Sequence, residues 1–229
     1  MKHEHFVVQS PVTPAEQLIL LFHGVGDNPV NMGQIARYFA KEFSQALVVS
    51  IGGPFACGSA GGRQWFSVQG VKEENRQSRI DEVMPTFVAV VRHWQQQSGL
   101  GAQATALVGF SQGAIMSIEA VKAEPQLAGR VIAFSGRFAT LPEQPLKETV
   151  IHLIHGEDDG VISVEHSKAA ASRLAALGSD VTLDLAADNG HAINQSMREY
   201  ALERLRYYIP QHYWDEALSG QRGERVAFR

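Results

Sequence analysis

Thr105-Ala106-Leu107-Val108-Gly109-Phe110-Ser111-Gln112-Gly113-Ala114 is the stretch whose reading decides the fold. Thr105 to Val108 is an apolar run with the character of a buried strand. Past the serine, Ala114-Ile115-Met116-Ser117-Ile118-Glu119-Ala120-Val121 has helical periodicity. Between a strand and a helix, Gly-x-Ser-x-Gly makes a sharp turn. The serine takes a strained backbone there, and its Oγ projects beyond the sheet. A Cβ at 109 or 113 would collide with the neighbouring helix or strand, so both positions call for glycine.

The rest of the chain repeats strand and helix around this turn. Leu18-Ile19-Leu20-Leu21-Phe22 and Ala46 to Ile51 read as strands buried on both faces. Arg130 to Phe134 and Val150 to His155 are two more, and Val181 to Leu185 alternates as a sheet edge would. Helices are expected over about 31–43, 80–98, 164–177 and 193–208. Pro85 is tolerable only near the start of its helix. Residues 53–78 are glycine-bearing and show no periodicity, so they form either a lid or wall of a cleft, or a surface excursion whose aromatics pack on the core. This alternation predicts an α/β fold, a mostly parallel sheet with helices on both faces and no large cap domain. Active residues then gather beyond the C-terminal ends of the strands.

At 229 residues the chain is read as one domain, with a core over about 18–209 and a tail over 210–229. Hydrophobic residues are 45% and charged ones 19%, a globular composition. A formal charge of −4 without basic runs argues against nucleic acid. Cys57 is the one cysteine and cannot form an internal disulfide, which fits a reducing cytoplasm. Met1 to His5 lacks a signal-peptide core, and Leu18 to Phe22 is too short to span a bilayer. No stable membrane insertion is expected.

A serine hydroxyl needs a base to take its proton, and the base needs a carboxylate to hold its tautomer. Of nine histidines, His3 and His5 fall in a terminus expected to fray, His93 and His212 on helical or tail segments, and His166 early in a helix. His152 lies inside a strand as a core residue. His155 precedes the acidic cluster, and the required order is Ser, acid, His. His191 follows the last strand and Gly190 and opens a helix, so it is the candidate base. The acid comes from Glu157, Asp158 and Asp159. Asp159 is preferred because Gly160-Val161-Ile162 turns the chain back into the fold there; Asp158 is its nearest rival, and Asp184 and Asp188 are weaker ones. An oxyanion hole would use the amides of Gln112 and, in the loop His23-Gly24-Val25-Gly26, of Val25. In that loop the His23 side chain is read as a brace.

His23-Gly24-Val25-Gly26-Asp27, Gly109-Phe110-Ser111-Gln112-Gly113-Ala114, Phe134-Ser135-Gly136, His155-Gly156-x-x-Asp159 and Gly190-His191 together resemble the phospholipase/carboxylesterase family. The likeness runs from about Leu18 to Ile209. It implies an α/β-hydrolase core, no metal or organic cofactor, and hydrolysis of esters or thioesters of fairly hydrophobic acyl groups. It implies Ser111, Asp159 and His191 as nucleophile, acid and base, and Val25 and Gln112 as oxyanion donors. Trp65 and Phe66 resemble a family element of the long loop and are expected at the substrate. Gly160, Ser163 and Ser67 depart from the family's usual Pro, Pro and Asp; the chemistry survives this, while the cleft shape is left open. A general carboxylesterase for small to medium acyl chains is the leading reading. An acyl-protein thioesterase or lysophospholipase is the alternative, and a non-catalytic binding module on this scaffold is the third. The long tail and an apolar cleft rim make a homodimer an expectation to test.

Overall fold

The computed structural model describes residues 3–58, 61–210 and Tyr213. The tail over 211–229, apart from Tyr213, lies outside the described residues, as does His212. The chain runs β1 (His5–Gln9), β2 (Gln17–Phe22), α1 (Pro29–Glu42), β3 (Ala46–Ile51), the short β4 (Phe55–Ala56) and β5 (Arg63–Gln64), and α2 (Glu73–Ser98). It continues through β6 (Thr105–Phe110), α3 (Gln112–Ala123), β7 (Arg130–Phe134), β8 (Val150–Gly156), α4 (Glu165–Ala176), β9 (Val181–Ala186) and α5 (Gln195–Tyr207).

Seven strands form one sheet in the order β1-β3-β2-β6-β7-β8-β9. All neighbours pair in parallel except β1, which runs antiparallel to β3. After β2 the chain moves outward to β3, then returns on the other side of β2 to form β6. The crossover direction reverses between β2 and β6. A crevice opens at such a reversal, beyond the strands' C-terminal ends. Phe22 is level with Gly109 there, so the loop after β2 meets the serine turn after β6.

The apolar runs are continuous because the sheet is buried on both faces. Leu18, Leu20 and Phe22 point to one layer, with Phe87 of α2, Met116 of α3 and Leu174 of α4. Ile19 and Leu21 point to the other, with Phe39 of α1 and Met197 and Ala201 of α5. The layers alternate with the period of two that a strand imposes.

Three elements differ from expectation. His5 does not fray: it starts β1, whose residue pairs reach Ile51. Helix α2 starts at Glu73, so Pro85 lies in its interior. The ring denies the Asp81 carbonyl its helical partner, but Pro85 and Asp81 both face solvent, where water can serve that carbonyl. His191 does not open a helix. It lies in a loop, and α5 begins at Gln195 with Asn194 as its N-cap, the Asn194 side chain accepting from the Met197 amide at 3.0 Å.

Candidate active site

Ser111 sits between β6 and α3 with φ 52° and ψ −115°, a conformation uncommon for a residue with a Cβ. Two hydrogen bonds hold it. Its amide donates to the Phe134 carbonyl at 2.9 Å, and its own carbonyl accepts from the Ile115 amide at 3.0 Å. The flanking glycines leave no room for a side chain. A Cβ on Gly109 would stand 2.4 Å from the Ala114 nitrogen, and one on Gly113 would stand 2.1 Å from the Phe22 carbonyl oxygen.

His191 reaches the serine from the loop between β9 and α5. Its Nε2 lies 2.9 Å from Ser111 Oγ and its Nδ1 lies 2.7 Å from Asp159 Oδ2. An ionised carboxylate only accepts, so Nδ1 carries the proton and Nε2 is left to accept from the hydroxyl. The ring also packs on Phe110, centroid to centroid 5.0 Å. The loop that carries it is stapled by Asn189, whose side-chain amide donates to the carbonyls of Gly190 and Ala192 at 3.1 and 2.9 Å. The Asn189 carbonyl accepts from the Asp158 amide, which ties the histidine loop to the acid loop.

Asp159 is buried, whereas Glu157 and Asp158 are exposed. Its Oδ1 accepts the amides of Val161 and Ile162 at 2.8 and 2.9 Å, the turn that brings the chain back. Burial alone would push this carboxyl up. The hydrogen bonds from His191, Ile162 and Val161 outweigh it and hold the group below its ordinary value. Asp184 is engaged elsewhere, paired with Arg204 at 2.6 Å, and Asp188 occupies an exposed turn with φ 51°.

The loop after β2 lies against the serine: a Cβ on Gly24 would come within 3.3 Å of Ser111 Cβ. Val25 sits at its crest, 38% exposed. The loop is fixed by the Asp27 amide donating to Gly24 O, and by the Gly26 amide donating to Arg63 O. His23 is fully buried. Its Nε2 accepts from the Gly53 amide at 2.9 Å, so its Nδ1 is the protonated nitrogen and donates to Gly24 O at 2.6 Å. Burial pushes His23 below its ordinary value, which keeps this neutral tautomer. Gln112 is the first residue of α3, and an amide in a helix's first turn has no intrahelical acceptor.

Trp65 and Phe66 stand elsewhere than expected. They are 1% and 4% exposed and belong to the core. Trp65 Nε1 donates to His23 O at 3.1 Å, and its ring packs edge-on against Phe22 and Phe87. The Gln112 side chain clamps both residues by their backbone, accepting from the Trp65 amide and donating to Phe66 O, each at 2.7 Å. The segment at 65–66 is thus a wall pinned to the site, and its aromatics are struts. Three contributors escaped the sequence: the Gln112 clamp, the Asn189 staple and His155, which touches Asp159. Only the Asp188-Asn189-Gly190 turn left a signal, as a turn. Among the described residues no group of three or more His, Cys, Asp or Glu side chains is placed to hold a metal.

A strand–serine–helix turn facing an acid-backed histidine, on a sheet of this order, defines an α/β-hydrolase with a serine at its centre. The sequence model of the phospholipase/carboxylesterase family matches residues 3–209, and the chain belongs to that family and is an ester hydrolase. It is 62% identical to Esterase YpfH of Escherichia coli (strain K12), over 96% of this chain and 95% of the relative. It is 27% identical to Acyl-protein thioesterase 1 of Kluyveromyces lactis, over 71% of this chain and 78% of the relative. Among solved structures, esterase PE8 superposes with a TM-score of 0.80 at 27% identity, covering 91% of this chain and all of that one.

Proposed function

We propose that the enzyme cleaves carboxylic esters of small to medium acyl chains by two-step acyl transfer through Ser111. His191 Nε2 takes the hydroxyl proton as Oγ attacks the carbonyl carbon. The tetrahedral oxyanion rests on the amides of Val25 and Gln112. His191 then gives its proton to the leaving alcohol, and water repeats the sequence to free the acid. Asp159 holds the imidazole in its tautomer and stabilises the imidazolium. One observation carries this reading: the unbroken chain Ser111 Oγ, His191 Nε2, His191 Nδ1, Asp159 Oδ2 at 2.9 and 2.7 Å. Each oxyanion donor is worth about 100- to 1,000-fold in rate.

The 62% identical relative named an esterase supports oxygen esters over the thioesters suggested by the 27% identical thioesterase. The single cysteine supports placing the enzyme in a reducing compartment such as the cytoplasm. No helix among the described residues is long and apolar enough to cross a membrane. The test is a rate profile over p-nitrophenyl esters of increasing chain length and matched thioesters, alongside fluorophosphonate labelling. Labelling at Ser111 with fastest turnover of the shorter oxygen esters is expected. A protein that neither labels nor turns over any ester would sink the reading, and a preference for thioesters would move it to the alternative.

A further inference from the structure

The carboxylate behind His191 has a second histidine on it. His155 is the penultimate residue of β8, and its side chain is fully buried. Its Nε2 lies 2.8 Å from the Ile162 carbonyl oxygen and 3.2 Å from Asp159 Oδ2, the oxygen that also receives His191. Both neighbours of Nε2 are acceptors, so Nε2 carries the proton: it donates to the Ile162 carbonyl, and Asp159 Oδ2 takes the longer, secondary contact with the same N–H. Its Nδ1 is then the acceptor, and Ser167 Oγ of α4, 2.7 Å away, donates to it. The polar line thus runs Ser167 to His155 to Asp159 to His191 to Ser111.

We propose that His155 is a positioning residue for the reaction, donating to Asp159 so that the carboxylate keeps the orientation and charge that His191 needs. This rests on the assignment of Ser111, His191 and Asp159 above. Asp159 Oδ1 is fixed by two backbone amides, so the only freedom left to the carboxylate is how Oδ2 is directed. His155 meets the same Oδ2 as His191, but from β8 and not from the loop after β9. Ser167 fixes the His155 tautomer, as outer partners of a working histidine do. Burial keeps His155 below its ordinary value and therefore neutral, a donor that adds no second positive charge against His191. The titratable groups acting on it are Asp159 and His191 from the two loops and His166 on α4.

The consequence is visible in the pH profile. Donation from His155 draws charge off Oδ2. Without it, Oδ2 is more negative towards His191, the imidazolium is held harder, and the acid limb of kcat/KM moves to higher pH. The experiment compares His155→Leu, His155→Gln and Ser167→Ala with the wild type, in kcat/KM against pH and in fluorophosphonate labelling rate. His155→Leu should lose about 10- to 100-fold and shift the acid limb up by about half a unit. His155→Gln keeps an N–H near Nε2 and should recover most of both. Should His155→Leu not fold, Ser167→Ala carries the test, with a shift of the same sign and smaller size. In an Asp159→Asn background His155→Leu should cost no further activity, because its partner is gone. An unmoved acid limb, or a full second loss on top of Asp159→Asn, in a protein whose wild type labels normally at Ser111 would overturn this inference alone. A wild type that does not label would overturn the nucleophile assignment and this inference together.

Discussion

Gly113 of α3 lies directly against the backbone of Phe22 at the end of β2. A Cβ on it would meet the Phe22 carbonyl oxygen at 2.1 Å and the carbonyl carbon at 2.5 Å. No rotamer relieves such a contact, because both partners are backbone. The closeness matters because Phe22 leads into His23-Gly24-Val25. Helix α3 presses on the strand that leads to Val25, whose amide is one proposed oxyanion donor, while its own first residue, Gln112, carries the other proposed donor. Gly113→Ala should therefore push the two donors apart. We expect a loss of about 3 kcal/mol, near the upper end for overpacking, and turnover slowed by a factor of about 100 or more in whatever folds. Urea unfolding and ester hydrolysis check this. A variant with wild-type stability and rate would mean that the contact is looser than its geometry.

Ser111 has a different relation to stability. Its φ of 52° is strained for any residue with a Cβ, and the strain is of order 1–3 kcal/mol. Ser111→Ala keeps the Cβ and should melt close to the wild type while losing about 10⁴-fold or more in rate. Ser111→Gly removes the Cβ and should melt higher than Ser111→Ala, by about 1 kcal/mol after the entropic cost of glycine. Neither variant keeps the proposed nucleophile, so melting separates strain from chemistry. Equal melting of the two variants would mean that the strain in the turn does no more than offset the entropic cost of glycine.

Legibility in the sequence follows the range of the forces involved. Strand, glycine, serine, glycine and helix around Ser111 are local, and so is the steric reason for them. The buried strands show as apolar runs because both sheet faces are covered. Strand β1 does not show, since His3 and Glu4 lead into it, His5 starts it, and its pairing partner lies over forty residues on, at Ile51. The start of α2 does not show either: none of residues 73–79 is buried, so there is no apolar face to count. Asp159 can be preferred over Asp158 because the turn it makes is local. The orientation of Trp65 is invisible locally, because it is set by Gln112 and His23, 47 and 42 residues away. Chain order passes over His155, being a rule about the base that says nothing about what supports the acid.

His152 should dominate the response of stability to mild acid. It lies wholly inside β8 with Nδ1 2.8 Å from Thr182 Oγ1, and its Nε2 has no partner among the described residues. Burial, then the positive charges of Arg130 and Arg204, push it down from 6.5 to about 3. A lowered folded value means that the unfolded chain binds the proton first. The stabilisation is therefore complete above pH 6.5 and is lost as pH falls from 6.5 towards 3. One proton corresponds to about 1.4 kcal/mol per pH unit over that window. His152→Leu should flatten the slope of unfolding free energy against pH by about that much, with activity at pH 8 retained. Denaturant titrations at several pH values check it. An unchanged slope would mean that His152 takes up its proton inside the folded protein.

The Gln112 side chain offers a test of the wall. Its Oε1 and Nε2 satisfy one donor and one acceptor of the 65–66 backbone, all of them buried, and its own backbone amide is the proposed oxyanion donor. Gln112→Ala removes the clamp and leaves that backbone amide in place. Two buried main-chain groups are then unpaired, at about 1–3 kcal/mol each. Trp65 is braced against His23 O, so slack in this segment passes to the loop that holds Val25. Stability should drop by about 2–4 kcal/mol and turnover should slow about 10-fold, with a smaller change in KM, because the loosened donor serves the oxyanion more than the bound ester. Gln112→Glu should be worse than Gln112→Ala at pH 8, since it aims a carboxylate at the Phe66 carbonyl. If both variants kept wild-type turnover while losing stability, the clamp would be holding the fold alone, and the link from Trp65 through His23 to the oxyanion loop would be broken.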